Sequence, residues 1–399
     1  MIFVDAYLVD WLDLLIRWLH VVAAIVWIGT SFYFVALDSH LLPPRKSRDS
    51  DEGVGGESWE IHGGGFYRIH KFRVAPETIP EPLHWYKWEA YTTWLSGFAL
   101  LVVLYYLDAD TYLVDQSVRD LGTGTAIAIS LALLGVAWLV YDGLCRVLGN
   151  RELLLAAALV AFVAASAYAV SELFSARAMP IQVGAMLGTM MVGNVLAVII
   201  PGHWELVHAK RAGREPDPVH GLKGKQRSVH NNYLTLPVVL AMLAPHFPFA
   251  FTGARGWLVL VALMLVGAWI RLYFNLRHRG RTVWAIPATA ALAVLAIAIA
   301  IRPDEAEPAG AAVPYAQVAA IVEQRCTVCH SLSPTNPSFA LPPGGVVFDT
   351  SEQIQVQASL IEEQAVRTRA MPLGNVTGMT DAERVLLGRW IQQGAKVAP

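Results

Sequence analysis

Long apolar runs separated by polar loops fill the first three-quarters of this chain. An α-helix needs about 20 apolar residues to cross a bilayer. Eight runs approach that length: Leu12–Leu37, Trp88–Leu107, Thr125–Leu144, Leu153–Val170, Pro180–Ile200, Tyr233–Phe251, Trp257–Leu276 and Val283–Ile301. Pro237, Pro245 and Pro248 interrupt the sixth. Proline is tolerated in a membrane helix whose neighbours satisfy the freed backbone groups. The first run is not a cleaved leader, because Asp5 and Asp10 stand where a basic segment belongs and no small-residue cleavage site follows. The pattern changes after residue 301. Residues 302–313 read as a polar Pro/Ala linker, and 314–399 as a small helical domain.

Composition agrees with a membrane protein. Of 399 residues, 55% are hydrophobic and 16% charged, against nearer 25% charged for an ordinary soluble domain. The net charge of −2 argues against a nucleic-acid partner, which needs a basic face. Lys and Arg sort between alternate loops. Residues 38–87 form a long basic loop with Arg45, Lys46, Arg48, Arg68, Lys71, Arg73 and Lys87. Arg146 and Arg151, then Lys210 to Arg227, then Arg277, Arg279 and Arg281 mark the other basic loops. The loops between them hold single arginines: Arg119, Arg177 and Arg255. Basic loops stay cytoplasmic, so both termini are expected outside, in the periplasm of a bacterial inner membrane.

The stretch "QRCTVCHSLS" gives the outer domain its chemistry. Cys326 and Cys329, spaced C-x-x-C and followed by His330, form the attachment signature of a c-type haem. The two sulfurs would bond to the porphyrin, and His330 would ligate the iron. The sixth ligand is Met371 or Met379. Met379 precedes the capping box Thr380–Glu383, where an apolar residue staples the helix start, so Met371 is preferred. Met/His ligation raises the potential and suits electron transfer. The expected fold class is all-α: a polytopic bundle of eight spans followed by a small cytochrome c domain of class I type.

Polar groups inside membrane helices are candidates for function. Arg17, His20 and Glu172 lie towards the outer face. The inner half holds Glu89, Asp142, Asn194, Arg271, Asn275 and "HNNY", His230 to Tyr233. "HGGG" at His62 occurs in esterase oxyanion holes, but no G-x-S-x-G accompanies it. "GAMLG", Gly184 to Gly188, reads as helix packing. "HWELVH" contains one Glu205-x-x-His208, whereas a di-metal site needs two copies. Cys145 reads as packing.

The chain resembles the PuuD-type urate hydroxylases, membrane-bound urate oxidases fused to cytochrome c. "LIRWLHVVAAIVWIGTSFYFVALD", "HGGGFY", "LHWYKWEAYTTWLSGFALL", "LVYDGLC", "CTVCH" and "AMPLGNVTGMTDAER" carry the resemblance, which covers nearly the whole chain. It implies oxidation of urate to 5-hydroxyisourate in purine breakdown, with electrons leaving through haem c. The acceptor would be a respiratory component such as a soluble cytochrome c or a terminal oxidase. The resemblance carries over the haem ligands Cys326, Cys329, His330 and Met371, but no catalytic set for the membrane domain. From the residues themselves, Arg271, Asn194, Asn231, Asn232 and Trp88 suit a planar anion with ring N–H and carbonyl groups. Glu89 or His230 would serve as base. A site in the inner half is far from an outer haem. It requires either a second redox cofactor among the helices, with His20 and His246 the histidines placed to ligate it, or a cavity that brings urate outward. Two alternatives are a membrane-anchored cytochrome c subunit serving a quinol-oxidising partner, and a transporter or sensor with a redox module. The first needs facing histidine pairs and the second inverted repeats.

Overall fold

The computed structural model describes residues 6–253, 255–302 and 311–397. Helix α1, Ala6–His40, leads into a β-hairpin of β1, Val54–His62, and β2, Gly65–Phe72. Helix α2 covers Trp88–Leu101 and continues through a π-helical turn, Val102–Tyr106. Next come α3, Thr123–Leu148, and α4, Glu152–Ser171. Helix α5 runs over Ala178–Arg211, with a π-helical turn at Val195–Ile199. The bundle is completed by α6, Pro218–Leu243, α7, Gly256–His278, and α8, Ala285–Ala300.

Among the described residues, five helices are long and apolar enough to cross a membrane: Tyr7–His40, Thr123–Leu148, Glu152–Ser171, Ala178–Arg211 and Gly256–His278. The other three expected spans are helical but depart from the expected form. In α2 the π turn divides the run. Helix α8 has only 16 residues. Helix α6 starts at Pro218, well before the apolar run at Tyr233. Asp217 caps it by accepting from the Val219 N–H at 2.9 Å, with Pro218 preset for the first turn. Its polar first half is therefore helix, although hydropathy alone marks it as loop. The run also ends early, at Leu243, where Pro245 stops the α-helix in a 3₁₀ turn.

The all-α expectation needs one correction, the hairpin in the long basic loop. The "HGGG" string makes its turn. Gly63 and Gly64 have φ of 56° and 81°, open to glycine at no steric cost, and His62 pairs with Gly65. The hairpin is tied to the bundle through Tyr33, whose hydroxyl donates to Glu60 at 2.8 Å, and through Asp38, which meets Lys71 and Lys225.

Helices α5 and α6 occupy the middle of the bundle. Each packs on the other, α5 also on α3 and α4, and α6 also on α1 and α7. Methionines 179, 186, 190 and 264 fill the core beside Tyr105, Phe174 and Leu260. The expected linker 302–313 lies mostly outside the described residues. Beyond it, α9, Tyr315–Arg325, α10, Ser351–Val356, and α11, Asp381–Gln392, enclose a second core around Val322, Phe348, Leu387 and Trp390. Capping boxes start α10 at Thr350 and α11 at Thr380. This C-terminal unit sits on the end of the bundle opposite the basic loops.

Glycines mark the closest approaches. A Cβ on Gly184 would lie 2.9 Å from the Ala241 Cβ, so half of "GAMLG" is an α5–α6 contact. A Cβ on Gly193 would lie 2.3 Å from the Trp138 ring, while at Gly188 it would meet nothing. Gly193→Ala is therefore expected to destabilise the bundle by about 1–3 kcal/mol through overpacking. Gly188→Ala, in the same helix, should be neutral or slightly stabilising. Thermal unfolding of the two detergent-solubilised variants checks the pair; equal transitions would refute the packing account.

Candidate active site and cofactor pocket

Polar side chains from five helices meet near the basic end of the bundle, and they divide into two groups. The first is centred on Arg227 of α6. Its Nη2 donates to Asp142 Oδ1 at 2.7 Å and its Nη1 to Asn194 Oδ1 at 3.2 Å. Asn194 Nδ2 donates to the Tyr141 hydroxyl and to Asn231 Oδ1, both at 2.8 Å. The same hydroxyl lies 2.9 Å from His230 Nδ1, and Asn231 Nδ2 donates to the Met191 carbonyl at 3.0 Å. The Arg227 guanidinium also lies over the Tyr141 ring, 5.1 Å from its centroid. Asn194 is fully buried and both ends of its amide are engaged, so this group is closed. The π turn that follows Asn194 re-aims the rest of α5 at the point where the network forms.

The second group is centred on Arg271 of α7. Its Nε donates to Asn232 Oδ1 at 2.8 Å, and Asn275 Nδ2 donates to the same oxygen at 3.1 Å. Asn232 Nδ2 reaches the Ser31 carbonyl of α1 at 3.5 Å. The Arg271 guanidinium lies 3.8 Å from the centroid of Phe32. This group is open. Arg271 Nη2, Asn275 Oδ1 and Ser31 Oγ are buried without a hydrogen-bond partner, and so is Glu89 Oε2 on α2. Helices α1 and α2 run antiparallel, with His20 against Thr93 and Ser96 and Phe34 against Tyr86. That register places Glu89 level with the stretch from Trp27 to Ser31. An unmet donor and unmet acceptors at one depth form a corner suited to a planar ligand with both kinds of group.

Of the residues expected from sequence, Asn194, His230, Asn231, Asp142, Asn232, Arg271 and Asn275 are brought together. Glu89 is at the right depth but joins neither network. Trp88 is not a wall of the site: it is 65% exposed, beneath the Lys87 ammonium. Arg17 pairs with Asp13 at 2.6 Å, and Glu172 is exposed. Glu205 pairs with Arg214, and His208 packs on Trp204. Among the described residues, the one trio with metal-ligand spacing is Asp49, Glu57 and His70 beside the hairpin. Arg68 already bridges its two carboxylates. Cys145 is buried, with its sulfur 3.9 Å from His230 Nδ1.

Sequence reasoning missed Arg227, Tyr141, Ser31 and Phe32. Arg227 had a signal. Gly224, Arg227, Asn231 and Thr235 follow helical spacing and all are buried. Ser31 and Phe32 had none, because nothing in an apolar run marks which two residues face an arginine.

The second site is a cavity of about 360 Å³ in the C-terminal unit, bordered by Cys326, Cys329, His330, Met371 and Met379. The cysteines follow the end of α9, where the His330 N–H donates to the Cys326 carbonyl at 2.9 Å. His330 Nδ1 lies 3.1 Å from the Val346 carbonyl, which leaves Nε2 as the ring's free ligand atom. Burial lowers the His330 pKa, keeping the imidazole in its neutral, ligating form. Burial, and then Cys329, push the Cys326 thiol up to about 12. Met371 borders the cavity with its N–H donating to Gln364 and its carbonyl accepting from Arg384 at 2.8 Å. Met379 is more deeply packed in the core, its N–H and carbonyl both bonded to Asn375. Two thiols, an oriented imidazole and a thioether around an apolar cavity are the donor set a covalently attached haem needs.

No curated protein and no solved structure matches this chain. A family profile described as urate oxidase N-terminal does match, over residues 6–302. The match takes in helices α1 to α8, the hairpin and both polar networks, and it stops where the linker begins. It supports an oxidoreductase with a urate-related role. With three-quarters of its length covered, the chain belongs to the urate oxidase N-terminal family.

Proposed function

We propose that the bundle spans a bacterial inner membrane eight times, with both termini periplasmic, and oxidises urate to 5-hydroxyisourate. We further propose that the C-terminal unit is a cytochrome c domain with haem c on Cys326 and Cys329. The observation that carries the reading is the open corner at Arg271. Urate at neutral pH is a planar monoanion with ring N–H donors and carbonyl acceptors. Arg271 supplies the countercharge and a free donor, Asn275 Oδ1 accepts a ring N–H, and Ser31 Oγ meets a carbonyl. Phe32 holds the guanidinium face and screens it from lipid. Glu89, with a free buried oxygen, is the base that takes a ring proton.

The balance sets what the chain must move. Urate monoanion and one water give 5-hydroxyisourate monoanion, two protons and two electrons. Cys326, Cys329, His330 and Met371 would hold haem c, which would supply one-electron transfer, so each turnover would need two deliveries to a respiratory acceptor. His230 and Asn194 do not bind substrate in this reading. They hold Arg227 and Tyr141, which fix α3, α5 and α6 around the corner. Electrons must also cross the bundle. Glu89 and Tyr105 lie sixteen residues apart on α2, roughly 24 Å at 1.5 Å per residue. That distance calls for an intermediate redox group. His20 would hold one in this proposal: Thr93 O, 3.0 Å away, and Ser96 Oγ engage its Nδ1, and Gly97 makes room for the ring. His246 is exposed in the outer loop, and no hydrogen bond or ring contact joins it to His20 among the described residues.

Three outcomes are expected. Urate added to membranes should reduce the haem c spectrum, and Arg271→Gln should slow that reduction roughly 10- to 100-fold, the worth of a charged hydrogen bond of ~1.5–3 kcal/mol. A wild-type rate in the variant would remove Arg271 from the site. Replacing Cys326 and Cys329 together by Ala should abolish the haem stain on a denaturing gel while the bundle still inserts; a surviving stain defeats the attachment. Met371→Ala should lower the haem midpoint potential, since a thioether favours reduced iron, while Met379→Ala should affect mainly stability. Redox titration of both variants tests the ligand choice, and an exchange of the two phenotypes would reverse it.

A further inference from the structure

The cofactor cavity is not built by the C-terminal unit alone. Thr111, Tyr112 and Arg177, all from the membrane bundle, complete its wall. Tyr112 lies in the segment between α2 and α3, and Arg177 in the turn before α5. One serine ties the two pieces together. Ser175 Oγ donates to the Tyr112 carbonyl at 2.7 Å and accepts from the Ala178 N–H at 3.1 Å, and the Ser175 N–H donates to Leu113 at 2.9 Å. The Arg177 guanidinium lies over the Tyr112 ring, 5.7 Å from its centroid.

The C-terminal unit is seated against this wall backbone to backbone. Gly374, three residues after Met371, has φ of 53°. A Cβ there would lie 2.6 Å from the Val114 carbonyl and 2.8 Å from that of Thr111. Only a bare backbone fits, so the loop that carries Met371 is pressed onto the segment that carries Tyr112.

Charge distinguishes Arg177 from the other arginines of the cavity region. Arg325 is matched by Glu383 at 3.1 Å and donates to the Thr377 carbonyl. Arg384 is spent on the carbonyls of Ala365 and Met371. Arg177 is exposed, and no carboxylate pairs with it among the described residues. It also hydrogen-bonds the Tyr105 hydroxyl, and a guanidinium that keeps further donors at an apolar cavity is a receptor for carboxylate.

We propose that Arg177 binds the carboxylates of the tetrapyrrole across the domain boundary, so that the membrane bundle supplies part of the haem site. This rests on the haem c reading above. A cation beside the haem edge disfavours ferric iron, which carries one more positive charge than ferrous, and so raises the potential. Losing the cation removes compensation for the haem's own carboxylates and stabilises the oxidised form, so the midpoint potential falls. Tyr112, in the same wall, meets the Tyr105 ring edge-on at 6.2 Å inside the bundle.

The test uses the full chain in detergent, first stained for covalent haem and then titrated by its visible spectrum. Arg177→Gln should keep the stain and shift the midpoint to lower potential. Arg177→Lys, which retains the charge, should stay near the unmutated value. Gly374→Val should shift it as Arg177→Gln does, by unseating the loop. An unstained unmutated chain would sink the haem reading itself. A stained Arg177→Gln chain with an unchanged midpoint would sink this inference alone, as would a Lys variant that falls as far as the Gln one.

Discussion

A guanidinium buried between packed helices is cut off from water, so other helices must supply its acceptors. Arg227 and Arg271 impose that requirement on this bundle. Asp142 on α3 and Asn194 on α5 converge on Arg227, and Asn232 on α6 converges on Arg271. Helices α5 and α6 are central because their asparagines serve these two cations. Removing one partner would leave a buried charge unmet, which costs more than the contact itself contributes.

The two arginines differ in how far the requirement is met. Around Arg227, a carboxylate, an asparagine oxygen and an aromatic face answer the charge, and the amides beyond it are engaged in turn. That group is scaffold. Around Arg271, one asparagine oxygen serves two donors, and a guanidinium nitrogen, an amide oxygen and a serine hydroxyl stay unmet. A protein interior keeps few such groups without a use. The contrast separates a position that the fold leaves open from one that the fold completes. Both are composed of similar residues.

The seam at the other end follows a related logic. The loop carrying Met371 can reach the bundle because Gly374 lets two backbones touch. Ser175 holds the opposing surface rigid by bonding both Tyr112 and the start of α5. A seam built from backbone contact and a buried serine fixes the separation of the two units more closely than flexible side chains would.

The linear pattern determined a good deal on its own. Apolar runs mark the helices because hydrocarbon demands length and low polarity, and C-x-x-C-H with the nearby methionines marks a haem-type donor set because the chemistry is local in sequence. Asn194, Arg271 and Asn275 could be singled out because polar residues are rare in such apolar helices. Tertiary structure decided what spacing cannot express. The polar start of α6 is helix because Asp217 caps it and its neighbours bury Arg227, an outcome hydropathy does not encode. Trp88 looked suitable by type but faces outward, whereas Phe32, one apolar residue among many, meets Arg271. Arg177, alone in its loop by sequence, gained a place at a cavity only when two distant segments closed around it. Residue type sets what a side chain can do; which groups stay unmet depends on how many partners the folded neighbours bring, and that is a property of the packing alone.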